Sequence, residues 1–278
     1  MSSALAPGEL HKESSGVSDA AAPLVLLHGW GMNLRVFDGL RAALAAHHRV
    51  TAIDLAGHGE SPWTADSSPQ QQLASLAAML PRDAVLVGWS LGGQLALQLA
   101  AEPALAVRRL VLIASSPRFV RTDDWPHGLP AGTLRQFAAQ LEHDTGQTVA
   151  DFIELQLRGS AQAAAVRATL QDSLRSHGTA VPAALAAGLA QLEHNDLRSL
   201  AQRIEVPSLV IAGQYDRVTP PQAGQALAKL LPQGELLTIR RAGHAPFLSH
   251  PGPVSAALLA FTREHAPRWH SAGSRAAP

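Results

Sequence analysis

Short, almost continuously apolar runs alternate with longer amphipathic stretches through most of the chain. Leu24–Leu27 (LVLL), Arg49–Ile53 (RVTAI), Ala84–Val87 (AVLV), Arg109–Ile113 (RLVLI), Ser208–Ala212 (SLVIA) and Leu236–Ile239 (LLTI) have the length of strands. Most lack a polar alternate position, which predicts strands covered on both faces, as in a parallel sheet. Helical spacing follows at about 34–46, 70–80, 91–101, 221–231 and 252–264. This alternation implies βαβ crossovers and an α/β fold with an open, mostly parallel sheet.

From about Phe119 to Leu200 the rhythm changes to helical periodicity with alanine-rich faces and no convincing strand. An all-helical insertion is expected there, above the carboxyl ends of the strands, where open α/β sheets place their ligands. The expected organisation is therefore a core of residues 23–118 and 201–265, a helical lid at 119–200, and flexible segments at 1–22 and 266–278. The first of these, MSSALAPGELHKESSGVSDAAAP, has no basic segment followed by an apolar one, so it is not expected to be a signal peptide.

Composition narrows the classes. Among 278 residues, 46 % are hydrophobic and 16 % charged, enough to build a substantial core. Lys+Arg and Asp+Glu both number 22, a balance that supplies no global field for nucleic acid or an anionic membrane. With no cysteine there is neither a disulfide nor a thiolate nucleophile. No apolar run reaches the roughly 18 residues that span a bilayer, so a cytoplasmic chain is expected.

Gly88-Trp89-Ser90-Leu91-Gly92 matches G-x-S-x-G between a strand pattern and a helix pattern, the context of a nucleophile elbow. The sharp turn would expose the Ser90 hydroxyl at a helix N-terminus, where developing negative charge is favoured. A bare glycine-rich turn with an incidental serine is the competing explanation. A hydroxyl is a weak nucleophile and needs a base, itself oriented by an acid. His244, in RRAGHAPF after one strand, and Asp216, in AGQYDRVTP after another, supply both at successive strand ends. Their order, Ser90, Asp216, His244, is that of α/β-hydrolases. The oxyanion donors expected are the backbone N–H groups of Leu91 and of Trp30 in the His28-Gly29-Trp30-Gly31 turn. His28 is expected to hold that turn, and Asp54, in DLAGHGES, to brace its own loop. No spacing of histidines or carboxylates indicates a metal, and no glycine-rich phosphate loop indicates a nucleotide, so no cofactor is expected.

LVLLHGWGMN, DLAGHGES, LVGWSLGGQLAL, HNDLRSLAQRIEVPSLVIAGQYDRVTP, AGHAPFLSHP and, at the start of the lid, FVRTDDWPHGL together resemble the α/β-hydrolase superfamily over Pro23 to Phe261. Within it they are similar to the pimeloyl-[acyl-carrier protein] methyl ester esterases of biotin synthesis. The resemblance implies a carboxylesterase that is monomeric and acts on a methyl ester borne by acyl carrier protein. Ser90 is the implied nucleophile, Asp216 the orienting acid and His244 the base, with substrate contacts at Trp30, Ser90, Leu91 and His244. The lid stretch Phe152-Ile153-Glu154-Leu155-Gln156 matches the segment that lines the acyl chain, although helix packing at i, i+3 spacing accounts equally for Phe152 and Leu155. Arg158, Arg167 and Arg175 are the implied contacts to the acidic carrier; Asp151 and a run of alanines thin that basic face. The family usually opens with a strand before the HGWG strand, and residues 1–22 match one poorly. A broad short-chain carboxylesterase, a lactonase or a carbon–carbon bond hydrolase on the same scaffold remains open, as does a non-catalytic binding protein of this fold.

Overall fold

The computed structural model describes residues 9–17 and 22–263. Seven strands form one sheet: β1 (Lys12–Ser15), β2 (Leu24–Leu27), β3 (Val50–Ile53), β4 (Val85–Trp89), β5 (Arg109–Ile113), β6 (Ser208–Gly213) and β7 (Gly234–Ile239). Their spatial order is β1-β3-β2-β4-β5-β6-β7, and every pairing is parallel except β1 with β3. The six apolar runs all become strands, within two residues of the expected bounds. Strands β2, β4 and β6 are buried at every position, because helices cover both faces.

The core helices are α1 (Asp38–Leu44), α2 (Pro69–Met79), α3 (Leu91–Ala100), α9 (Pro221–Leu230) and α11 (Pro251–Thr262). A 3₁₀ turn over Leu34–Phe37 leads into α1, so the single helix expected at 34–46 is divided. Between β5 and β6 lie α4 (Ala131–Leu141), α5 (Thr145–Leu157), α6 (Ala163–His177), α7 (Pro182–His194) and the short α8 (Arg198–Ala201). A further short turn, α10 (Pro246–Ser249), precedes α11. The two stems of this helical insertion are joined by charge. Arg118 Nη1 lies 2.6 Å from Asp196 Oδ2, and Arg198 Nη2 contacts both Asp196 Oδ2 at 2.6 Å and Asp124 Oδ2 at 2.8 Å. Hydrogen bonds from Arg198 and Arg118 hold Asp196 well below the ordinary aspartate range. FVRTDDW and HNDLRSL are thus the two halves of one clasp.

Strand β1 corrects the expectation of a flexible lead-in. KESS shows no apolar alternation, yet it pairs in register with β3, Lys12 opposite Ile53 and Ser15 opposite Val50. Polar contacts secure it. Glu13 forms ion pairs with both Arg35 and Arg41, Ser14 Oγ lies 2.8 Å from Thr51 Oγ1, and the neighbouring Leu10 is buried. Periodicity alone does not reveal an edge strand fixed by long-range ion pairs. The rest of the lead-in, residues 1–8 and 18–21, and the tail at 266–278 lie outside the described residues.

Partial burial raises the Glu13 carboxyl, but hydrogen bonds and charge from Arg41 and Arg35 outweigh it and leave the group below its ordinary 4.5. A carboxylate depressed in the folded state contributes stability above its unfolded pKa and loses it as pH falls through the folded value. Glu13→Gln is therefore expected to lower the thermal midpoint at neutral pH, with the gap to the parent closing below pH 4.5. A gap independent of pH in thermal melts would contradict the role given to this strand.

Candidate active site

Ser90 connects β4 to α3 with φ +56 and ψ −117, a conformation sparsely populated by residues other than glycine. Such a backbone costs on the order of 1–3 kcal/mol and persists only where its surroundings enforce it. Two flanking glycines allow the enforcement. A Cβ on Gly88 would lie 2.6 Å from Gly93 Cα, and one on Gly92 would collide with Leu27 O and lie 2.5 Å from His28 O. The first turn of α3 is thus pressed directly onto the backbone of β2. Ser115 Oγ donates to Ser90 O at 2.8 Å, and Ser90 N donates to Ile113 O at 3.0 Å, tying the turn to β5.

A serine at a helix N-cap ordinarily accepts a hydrogen bond from a backbone N–H of the first turn. Ser90 occupies the N-cap of α3 and makes no such bond. Its Oγ lies instead 2.9 Å from His244 Nε2. The opposite ring nitrogen, Nδ1, is 2.8 Å from Asp216 Oδ2. With the proton on Nδ1, the imidazole donates to Asp216 and accepts from the Ser90 hydroxyl. All three groups are buried, and His244 has no solvent contact.

Each partner is fixed by its own loop. Asp216 follows β6, where Val218 N (2.8 Å) and Thr219 N (2.9 Å) donate to Oδ1 and Thr219 Oγ1 (2.7 Å) donates to Oδ2. These bonds satisfy the buried carboxylate while leaving Oδ2 turned to the imidazole. His244 follows β7. Its carbonyl accepts from Trp89 Nε1 at 2.8 Å, and the indole packs against its ring with centroids 5.7 Å apart. A buried hydroxyl, a buried imidazole and a buried carboxylate in series form an arrangement able to generate an alkoxide-like nucleophile.

A model of the alpha/beta hydrolase fold matches residues 22–251. The chain belongs to the α/β-hydrolase fold family. It is 40 % identical over 242 residues to the pimeloyl-[acyl-carrier protein] methyl ester esterase of Nitrosomonas europaea, covering 87 % of this chain and 95 % of that protein. To the pimeloyl-[acyl-carrier protein] methyl ester esterase of Xanthomonas axonopodis pv. citri it is 43 % identical, covering 86 % and 94 %. The bromoperoxidase of Bacillus anthracis superposes with a TM-score of 0.82 at 21 % identity, covering 91 % of this chain and 94 % of that one, which reports the shared fold.

Around the triad of this α/β-hydrolase, the HGWG turn lies against the elbow. A Cβ on Gly29 would sit 3.2 Å from Ser90 Cβ. Leu91 is the first residue of α3, so its N–H has no intrahelical partner. The Trp30 ring is anchored by its Nε1–H to Leu185 O at 2.8 Å and meets Phe152 edge to face at 4.8 Å. His28 holds the turn as expected: Nδ1 faces Gly29 O at 2.9 Å and Nε2 accepts from Leu55 N at 2.9 Å. Burial, reinforced by the neighbouring His58, pushes His28 well below its ordinary pKa. Asp54 braces its loop through Glu60 N and Leu34 N, at 3.0 and 2.8 Å.

The lid residues divide. Phe152, Ile153 and Gln156 are buried, and Gln156 O accepts from His244 N at 3.4 Å. Glu154 and Leu155 instead line a cleft of about 800 Å³ with Arg158, Phe137, Leu129 and Arg217. Arg167 is committed to Glu154 through two bonds, at 2.6 and 2.8 Å, and Arg175 to Asp172 at 3.2 Å. Of the three expected carrier contacts, Arg158 alone opens onto this cleft. Ser90 does not line this cleft, and Trp30 and Phe152, each 1 % exposed, pack edge to face beside it.

Thr219 is the residue that motif reading passes over, although Asp216-x-x-Thr219 is the spacing at which an aspartate binds a following turn. Thr219→Val keeps the shape but removes the hydroxyl that orients Asp216 Oδ2. One lost hydrogen bond of about 1–1.5 kcal/mol predicts roughly tenfold lower kcat with KM little changed, restored by Thr219→Ser. An undiminished kcat in Thr219→Val would show that the hydroxyl has no part in holding the acid.

Proposed function

We propose that this chain is a serine carboxylesterase that hydrolyses the methyl ester of pimeloyl-[acyl-carrier protein] to pimeloyl-[acyl-carrier protein] and methanol. The observation that carries the reading is the Ser90 hydroxyl, withheld from helix capping and placed 2.9 Å from His244 Nε2. Relatives bearing that activity in their names match the chain over nearly their whole length, which supports the substrate class.

In the proposed reaction His244 Nε2 takes the hydroxyl proton as Ser90 Oγ attacks the ester carbonyl carbon. The N–H groups of Trp30 and Leu91 receive the developing oxyanion. Collapse of the tetrahedral intermediate expels methoxide, which leaves as methanol with the proton from His244. Water then attacks the acyl-enzyme, again deprotonated by His244, and releases the free carboxylate and Ser90. Asp216 holds the ring in the Nδ1–H tautomer and offsets the imidazolium charge. The acyl chain reaches Ser90 when the Trp30–Phe152 contact parts, with the approach along the cleft of Leu129, Phe137 and Leu155. Arg158 and Arg217 at that cleft are suited to an acidic carrier. The reading carries with it the expected cytoplasmic location and monomeric state.

The deciding experiment compares kcat/KM on pimeloyl-[acyl-carrier protein] methyl ester with that on p-nitrophenyl esters of increasing acyl length. The carrier-bound methyl ester is expected to be preferred, and Ser90→Ala, folded by circular dichroism, to lose at least about 10⁴-fold in kcat. Faster turnover of short p-nitrophenyl esters, with the methyl ester untouched, would replace this reading with a general carboxylesterase. A kcat close to the parent's in Ser90→Ala would remove the serine mechanism altogether.

A further inference from the structure

Away from Ser90, three residues that no motif connects converge. His11 precedes β1, Asp54 follows β3 and His177 ends α6, and one donor atom of each lies within 4.8 Å of the others. His177 Nε2 is 2.7 Å from Asp54 Oδ2, with neither side chain more than 2 % exposed. His11 is partly open to solvent, and its ring centroid is 5.3 Å from that of His177. Its Nε2 is buried without a hydrogen-bond partner; the nearest opposite charge, Glu13 Oε1, is 3.9 Å away. Glu60 approaches Nδ1 of both histidines, at 3.4 Å from His11 and 3.5 Å from His177.

We propose that His11, Asp54 and His177 form a binding site for a divalent first-row cation, Zn²⁺ above all, that fastens the N-terminal strand and lid helix α6 to the core. Two imidazoles and a carboxylate are the donor set that zinc accepts, with water free to complete a tetrahedron. Ligand bonds of about 2.0–2.2 Å place neighbouring donor atoms a little over 3 Å apart. The cluster therefore needs His11 to close in by roughly an ångström and the His177–Asp54 pair to open slightly. His11 has the freedom to do so, since it lies at the sheet edge, and its solvent contact provides an entry path. Asp54 is already fixed, by Leu34 N on Oδ1 and Glu60 N on Oδ2.

Glu60 completes the arrangement. A metal-bound imidazole commonly donates its other N–H to a carboxylate, which sets the tautomer and strengthens the ligand. One carboxylate facing both Nδ1 atoms serves both rings. An ion-pair network by itself explains His177 on Asp54, but it leaves the buried, unpartnered nitrogen of His11 without a role.

The test is calorimetric titration of the chelator-treated, full-length protein with zinc sulfate, with thermal melts run in parallel. One equivalent is expected to bind and raise the thermal midpoint. Outer carboxylate partners typically contribute 10–100-fold in metal affinity. Glu60→Gln should therefore weaken binding by about that range, and His11→Ala or His177→Ala by at least about tenfold. Ser90→Ala should bind like the parent, which separates the site from the esterase centre. If His177→Ala does not fold, His11→Ala and Glu60→Gln decide. Absence of saturable binding by the parent overturns the proposal. So does equal affinity in the parent and His11→Ala.

Discussion

The first turn of α3 runs so close to the end of β2 that Gly92 has space for hydrogen alone against the carbonyls of Leu27 and His28. This backbone contact governs the geometry above it. It forces the chain to turn within one residue after β4, which drives Ser90 into its positive φ and lifts the hydroxyl away from its own helix. The HGWG turn also lies against the serine, a Cβ on Gly29 coming within 3.2 Å of Ser90 Cβ. Strain at Ser90 is tolerable because the parallel sheet on either side is fully buried and does not yield.

The remaining groups are brought to that platform by the ends of neighbouring strands. Asp216 and His244 follow β6 and β7, and each is held by bonds from its own loop or from Trp89. The lid is joined to the core at separate points. The Arg118–Asp196–Arg198 clasp closes its stems. Asn33 Nδ2 donates to Ser173 O in α6 and to Gly178 O just beyond its end, both at 2.9 Å, and His177 reaches Asp54. These contacts bind the α6 end of the lid to the same loops that support the HGWG turn. On the α5 side Phe152 packs on Trp30 and Phe137, and Gln156 O accepts from His244 N.

What the sequence made legible follows from the range of the forces involved. Strands such as LVLL and SLVIA declare themselves because a doubly covered strand must be apolar throughout. Ser90, Asp216 and His244 are legible because each sits at a strand end with its own local turn chemistry. Strand β1 escaped notice since KESS is held by Glu13 reaching Arg35 and Arg41 and by pairing with β3, none of which leaves a periodic trace. Thr219 was hidden in plain turn sequence. The meeting of Asp54 with His177 spans 123 residues, and its partners carry no mutual spacing at all. The helices between β5 and β6 were readable as helices but not as a surface: that Glu154 pairs with Arg167 while lining the cleft depends on how α5 and α6 face each other.

The central claim is that the elbow holds the Ser90 hydroxyl in position for activation by His244. Labelling with a fluorophosphonate, followed by peptide mapping in a mass spectrometer, tests it most directly. A single adduct is expected, on the peptide spanning β4 and α3 and localised to Ser90, with labelling strongly slowed in His244→Ala. An adduct on another residue, or equal labelling of Ser90 with His244 removed, would contradict the account.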